Sequence, residues 1–227
     1  MSSLGVILPA AGRSVRFGGN RNKLFELLDG KPVVTHAVEA FLTRQDVAAL
    51  VIVTGDPRAI AQVLPQPLDP RITFCKGGDS RAESVRNGLA SIDRAVEWIA
   101  VHDAARPLVS QGLIGRTLEV AKEHGAAVPA MPVHLTIKQA TGPLPAAVQR
   151  TIPRNTLWAM QTPQIMRRSA LEAAFEQCPL PLDAVTDDVQ LLELAGHPVW
   201  LVEGEERNLK ITTHMDLQIA ELLVQGK

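Results

Sequence analysis

Residues 4–23 read LGVILPAAGRSVRFGGNRNK, and the two halves of that stretch follow different rules. Residues 4–10 are mostly apolar and are closed by Pro9 and Gly12, the pattern of a short strand buried on both faces. Such a strand belongs to a parallel sheet with helices on either side. It runs into a glycine-studded loop carrying Arg13, Arg16, Arg21 and Lys23, with almost no acid to balance them. Ala10, Ala11 and Gly12 hold little side chain, so their backbone N–H groups can come close to an anion. Arg and Lys would add charge-assisted hydrogen bonds to phosphate oxygens. The loop contains neither G-x-x-x-x-G-K-[ST] nor G-x-G-x-x-G. On spacing alone two readings stand, a phosphate cradle and a solvated basic loop.

Outward from this stretch the chain keeps alternating. Further buried strands are expected over residues 48–54, 71–75, 98–102 and 126–133. Helices are expected over 31–43, with Pro32 at the first helical position, over 80–91 and over 111–124. Ser80 stands where it can cap its helix, and Glu83 follows at capping-box spacing. Strands alternating with helices mean β-α-β units, right-handed crossovers and a mostly parallel twisted sheet covered on both faces, an α/β Rossmann-like arrangement. Residues 136–152 break the rhythm with alternating ends around Gly142-Pro143 and Pro145, which predicts a long hairpin. Such a segment is oversized for a connecting loop and reads as functional or as an arm protruding toward a partner. After it come a strand at 157–161, a helix at 169–177, a helix after Thr186, a strand at 198–202 and a terminal helix capped by Thr213 with Asp216. No linker interrupts the pattern, so residues 1–227 read as one domain.

Composition narrows the function. A net charge of -1 gives no whole-molecule field for nucleic acid or an anionic membrane, so any anion site must be local. Apolar residues at 46 % suffice for a sizeable core. Cys75 and Cys178 are too few for a disulfide framework and are not spaced as metal ligands. No apolar run reaches the ~20 residues that span a bilayer, and no signal-like segment opens the chain. The expectation is a cytoplasmic protein without membrane or nucleic-acid partners.

Ligands of open parallel sheets bind beyond the carboxyl ends of the strands. The first strand leads there to Ala10, Ala11, Gly12, Arg16 and Lys23, and the third to GGDSRAES with Gly77, Gly78 and Asp79. The fourth leads to HDAARP, where Asp103 needs a partner: Arg106 locally, or a hydroxyl or metal brought by a ligand. His102 reads as strand packing, and the six histidines form no ligand cluster. Lys210, in EGEERNLKITT, either lies in a turn screened by Glu203, Glu205 and Glu206 or points back over the sheet edge.

The pieces PAAGRSVRF…NK, GGDSRAESV, VHDAARP, RNTLWAMQTPQ, VTDD and EGEERNLKIT occur in an order that resembles the 2-C-methyl-D-erythritol 4-phosphate cytidylyltransferases of the non-mevalonate isoprenoid pathway. The resemblance runs over nearly the whole chain. It implies an enzyme that joins CTP to methylerythritol 4-phosphate and releases pyrophosphate, with Mg²⁺ held mainly by the CTP phosphates. It matches Pro9, Ala10, Ala11 and Gly12 to backbone contacts with CTP, and Arg16 and Lys23 to the pair that stabilises the transition state. Gly78, Asp79 and Ser84 match cytidine-contacting positions, Ala104 one that lines the nucleotide, Asp103 one near both nucleotide and substrate, and Arg106 one near the substrate. Lys210 matches a lysine reaching phosphates and substrate, and Thr162 and Thr186 match substrate-side positions. Thr136 and Arg154 match residues offered to the other subunit of a homodimer, which would explain the arm.

One position departs from the family pattern: Ser14 stands where a second loop glycine is usual, which puts the loop's geometry in question. The expected mechanism is in-line attack of a phosphomonoester oxygen on the α-phosphorus, served by positioning and positive charge rather than an activated side-chain nucleophile. The rivals are the same chemistry on ribitol 5-phosphate and a catalytically silent nucleotide-binding protein. A glycosyltransferase fits less well, since Asp187-Asp188 is the only adjacent acidic pair in a loop-like setting and no D-x-D follows a strand.

Overall fold

Along β1 (Leu4–Pro9) successive side chains enter two different cores. Leu4, Val6 and Leu8 belong to one, Ile7 to the other, and all four are fully buried. The same division repeats in β4 (Val47–Val53), where Leu50 and Ile52 face one side and Val51 and Val53 the other. β6 (Trp98–Val101) repeats it with Trp98 and Ala100 against Ile99 and Val101. A period of two with both phases apolar is the mark of a strand covered on both faces. This computed structural model describes residues 3–12, 17–18 and 22–226 of the chain. Arg13, Ser14, Arg16 and Arg21 lie outside the described residues.

Helices supply both covers. α1 (Val33–Leu42), α2 (Pro57–Val63), α4 (Gln111–His124) and α7 (His214–Gln225) pack their apolar stripes into the first core. α3 (Arg81–Ala90), α5 (Arg168–Gln177) and α6 (Asp188–Leu194) cover the second. The sheet has eight strands. β5 (Ile72–Cys75), β4, β1 and β6 run parallel side by side. Beyond β6 lies β11 (Gln164–Arg167), antiparallel to it and to β7 (Ala126–Pro132). β12 (Trp200–Glu203) adds in parallel to β7. The fold is therefore α/β with a mainly parallel central sheet.

Several local expectations are corrected. The helix expected from residue 31 begins at Val33. Lys31–Pro32 (β3) instead pairs with Leu27–Leu28 (β2) across Asp29-Gly30, whose φ angles of 50° and 75° make the mirror-image turn that suits a two-residue hairpin. Pro32 is then extended and stands just before the helix, with no side-chain hydrogen bond to its first turn. α2, opened by the Asp56 side chain accepting from the Ala59 N–H at 3.0 Å, was not anticipated. Nor was β11. The strand expected at 157–161 is β10 (Trp158–Met160), antiparallel to β7. Ser80 caps α3 as its spacing predicts, but the Glu83 carboxylate takes the N–H of Asp79 at 2.8 Å rather than that of Ser80. Thr213 and Asp216 form a complete capping box on α7. The long hairpin is present as a separate two-stranded sheet, β8 (Ile137–Ala140) with β9 (Val148–Ile152), with Leu144 at 88 % exposure near its tip.

Gly88 brings α3 close to the sheet. A Cβ there would lie 2.6 Å from Ile7 Cγ2 and 3.1 Å from Val53 Cγ2, atoms that packed neighbours hold in place. Although glycine costs a helix about 1 kcal/mol against alanine, bulk at this point has to push the helix off the strands. Gly88→Val is expected to lower the unfolding free energy by about 2–3 kcal/mol in urea titration. An unchanged midpoint would show that helix and sheet separate without cost.

Candidate active site

The carboxyl ends of β1, β5 and β6 open into one cavity of about 590 Å³. Its walls include Pro9 to Gly12 from the first loop, Lys23, Gly78 to Arg81, Ser84, Asp103 to Ala105, and Lys210. Of the residues expected to serve the nucleotide, every one lies on this wall: Pro9, Ala10, Ala11, Gly12, Gly78, Asp79, Ser84, Asp103 and Ala104. Lys23 and Lys210 are there too. Arg16 lies outside the described residues.

Small side chains set the shape. A Cβ on Gly77 would meet Ala11 Cβ at 2.7 Å, and one on Gly78 would meet Glu83 Cβ at 2.4 Å. The GGDS turn therefore sits flush against the first loop at Gly77 and against α3 at Gly78 only because both positions are glycine. Ser84, buried on α3, accepts from the Gly78 N–H at 3.1 Å and donates to the Ser80 carbonyl at 3.0 Å. The turn is thus held from below by the helix that follows it.

Asp103 is the electrostatic centre. It is 9 % exposed at the end of a fully buried strand. Its Oδ2 receives Lys210 Nζ at 3.0 Å and Arg106 Nε at 3.2 Å, while Arg81 Nη2 stands 3.9 Å from Oδ1. Burial alone would push this carboxyl up, but Lys210, Arg81 and Arg106 together outweigh it and hold Asp103 well below the usual carboxylate range. Of the two readings open for Lys210, the sheet-edge one is observed. The neighbouring acid Glu205 is drawn off by Ser110 Oγ at 2.7 Å and Arg116 Nη2 at 2.9 Å. The Arg106–Asp103 pair anticipated from local spacing is present, and Lys210 and Arg81 join it.

Arg81 is a residue that sequence reasoning missed, although it lies inside GGDSRAES. It pairs at 2.7 Å with Asp188, which is fully buried. A long-range pair of this kind leaves no periodicity to read. Arg106 spends its remaining donors on the Asn208 carbonyl at 2.7 Å and the Met160 carbonyl at 3.5 Å, and it faces away from the cavity wall. Thr162 also lies behind the wall, its Oγ1 accepting from the Asp103 N–H at 3.1 Å. Thr186 is exposed and uses its N–H and hydroxyl on Gln190 Oε1 at 2.7 and 3.0 Å. Thr136, in the hairpin segment, and Arg154, in the turn just after it, do not wall this cavity; an Arg154 guanidinium N–H donates to the His134 carbonyl. Among the described residues no three His, Cys, Asp or Glu side chains gather as metal ligands. Asp103, with three cations around it, is poorly suited to a divalent ion.

His102 completes the support. It is fully buried, edge-on to Phe41 with ring centroids 5.1 Å apart. Its Nε2 is 3.1 Å from the Arg106 carbonyl, which can only accept, so Nε2 carries the proton. Nδ1 then accepts from the Thr162 hydroxyl at 3.0 Å. Burial pushes the imidazole down to about 4 from an ordinary 6.5, against the pull of its hydrogen bonds and Asp103. The unfolded chain therefore takes up a proton near pH 6.5 that the native state refuses, and stability is full above that pH and falls below it. At ~1.4 kcal/mol per pH unit, His102 should account for about 2 kcal/mol of lost stability between pH 6.5 and 5. Denaturant titrations of His102→Gln should lack that slope; an equal slope in both proteins would refute the reading that the native imidazole stays neutral.

A sequence model of the 2-C-methyl-D-erythritol 4-phosphate cytidylyltransferases matches residues 4–226. The chain is 39 % identical over 226 residues to the chloroplastic 2-C-methyl-D-erythritol 4-phosphate cytidylyltransferase of Oryza sativa subsp. japonica, covering 99 % of this chain and 75 % of the relative. It is 38 % identical to the enzyme of that name from Bacillus velezensis, covering 98 % and 96 % of the two chains. The crystal structure of the Francisella tularensis 2-C-methyl-D-erythritol 4-phosphate cytidylyltransferase superposes with a TM-score of 0.83 at 32 % identity, over 97 % of this chain and 99 % of that one. With a match of this extent and the cavity built as described, the chain belongs to the 2-C-methyl-D-erythritol 4-phosphate cytidylyltransferase family.

Proposed function

We propose that this chain transfers CMP from CTP to 2-C-methyl-D-erythritol 4-phosphate in isoprenoid precursor synthesis, with the cavity above as its active site. The observation that carries this reading is the meeting of the PAAG loop, the GGDS turn, Asp103 and Lys210 around one space, in a member of this family.

An oxygen of the acceptor phosphate attacks the α-phosphorus of CTP as the bond from that phosphorus to the β-bridging oxygen breaks. Pyrophosphate leaves with the electron pair. The attacking oxygen is already ionised near neutral pH, so the protein's work is to bring two anions together and to stabilise charge on the leaving group. Ala10 to Gly12 offer close backbone approach to the triphosphate. Lys23 and Lys210 supply positive charge from the cavity wall, joined in the proposal by Arg16. Gly78, Asp79 and Ser84 flank the base, and Asp103 accepts a hydroxyl. Mg²⁺ enters as the counterion of the triphosphate and neutralises phosphate charge when bound; the chemistry of the described side chains favours phosphate oxygens as its principal ligands.

Arg106 and Thr162 act in this reading by holding Asp103 rather than by touching substrate. Thr136, Arg154 and Thr186 remain acceptor-side candidates. A homodimer is part of the proposal. It is supported by the exposure of Leu135, Leu144 and Val148 on and beside the hairpin segment at 77 %, 88 % and 59 %, and by Thr136 and Arg154 not lining their own chain's cavity. A cytoplasmic location accords with two free cysteines, and no helix among the described residues is long and apolar enough to cross a membrane.

Purified protein given CTP, Mg²⁺ and methylerythritol 4-phosphate should release pyrophosphate, and ribitol 5-phosphate should be turned over far more slowly. No release from folded protein, or a preference for ribitol 5-phosphate, would overturn the reading. Lys23→Ala should lower kcat on the order of 10²-fold with little change in melting temperature, the size expected for removing one charge that serves the transition state.

A further inference from the structure

Asp188 opens α6, and its carboxylate is fully buried. Its ion-pair partner among the described residues is Arg81, whose Nη1 lies 2.7 Å from Oδ2, and neither carboxylate oxygen has a partner in hydrogen-bond geometry. Taking a carboxylate out of water is costly, and an apolar pair of the same size generally serves stability as well as a buried ion pair or better. Stability alone is therefore a poor reason for the charge to be there.

The position of its partner gives a better one. Arg81 is the first residue of α3, directly behind the GGDS turn, and it walls the active-site cavity. Its other terminal nitrogen faces Asp103 Oδ1 at 3.9 Å, beyond hydrogen-bond distance. Asp103 Oδ2 is fully occupied, by Lys210 at 3.0 Å and Arg106 at 3.2 Å. The carboxylate is thus clamped through one oxygen and steered, without being consumed, at the other. Burial, joined by the nearby Asp187 and Asp103, holds the Asp188 carboxyl above the usual carboxylate range against the opposing pull of Arg81, so the two side chains act on each other electrostatically. A lone Arg81 with 30 % side-chain exposure would be drawn fully onto Asp103 or out to solvent; Asp188 prevents both.

We infer that Asp188 is a positioning residue for the transfer reaction: through Arg81 it keeps Asp103 Oδ1 aimed into the cavity as the acceptor for a hydroxyl of a bound substrate, either the nucleotide ribose or the polyol. This rests on the proposed function, which makes the cavity the place where both substrates meet. One guanidinium then ties the GGDS helix, the VTDD helix and the HDAARP turn together, and a substitution far from any ligand changes how a ligand is held.

The test uses Asp188→Asn, of unchanged shape, and the double variant Arg81→Gln/Asp188→Asn, which exchanges the ion pair for a neutral pair that can hydrogen-bond. Steady-state constants for CTP and for methylerythritol 4-phosphate are measured, with calorimetric binding of each ligand beside them. Asp188→Asn should raise KM, and the calorimetric Kd, about tenfold for one of the two substrates, and the substrate affected identifies the hydroxyl. The double variant should show the same change and no more, since both substitutions break one path. Unchanged affinities for both ligands, with only the melting temperature lowered, would overturn the inference, because a merely structural carboxylate does no more than that. So would an effect in the double variant near the product of two independent losses, about a hundredfold; if the single variant fails to fold, the double variant is read against wild type, where about tenfold supports the inference and no change overturns it. A wild-type protein that binds both ligands without releasing pyrophosphate would instead count against the proposed activity, while the binding comparison would still decide the role of Asp188.

Discussion

A carboxylate at the end of a fully buried strand has to be compensated, and the way Asp103 is compensated organises the rest of the site. Its cations come from three separate places: Arg81 from α3, Arg106 from the turn after β6, and Lys210 from the loop before α7. Meeting one charge requirement therefore fixes three stretches of chain around a single space. Lys210 has its bearing set by backbone as well, since the Ile211 N–H donates to the Ala105 carbonyl at 2.8 Å. The cavity is bordered by the stretches that this compensation draws together, and Lys23 adds positive charge to its wall beyond them.

Beneath Asp103 lies a layer of buried polar groups that do not wall the cavity. Asn208, fully buried, gives its side-chain amide to the Thr162 carbonyl at 2.8 Å and to Gln161 Oε1 at 3.2 Å, while its backbone carbonyl accepts from Arg106. Thr162 links this layer to His102 and to the Asp103 backbone. Buried polar networks of this kind stiffen what they touch, because any member that moves leaves another unsatisfied. A site that works by placing charges, rather than by forming covalent intermediates, depends on that stiffness.

The parts of this arrangement that could be read from sequence are those governed by local rules. Residues 4–10 announce a strand through continuous apolarity, Ser80 and Thr213 announce helix starts through capping chemistry, and Ala10 to Gly12 announce close backbone approach through lack of bulk. What escaped was governed by pairing across distance. β11 is four residues long and earns its place only by lying between β6 and β7. The short hairpin at Asp29-Gly30 was hidden under a helical pattern that begins two residues later. The partnership of Arg81 with Asp188 spans more than a hundred positions, and the fate of Lys210 turned on whether Ser110 and Arg116 would claim the nearby Glu205. No window of sequence contains both ends of such decisions.

The strand that runs along β7 as β10 and resumes as β11 slips on the way. Met160 faces Ala130, but Ile165 faces Ala127, so five steps on one side match three on the other and two residues are surplus. Those surplus residues fall in the segment that carries Gln161 and Thr162, the two that anchor Asn208 and the Asp103 backbone. A shorter, continuous strand would make a more regular sheet and would have nothing with which to hold the centre of the site. Regularity and catalysis compete for the same few positions here, and the irregularity is what any redesign aimed at a cleaner sheet would have to leave alone.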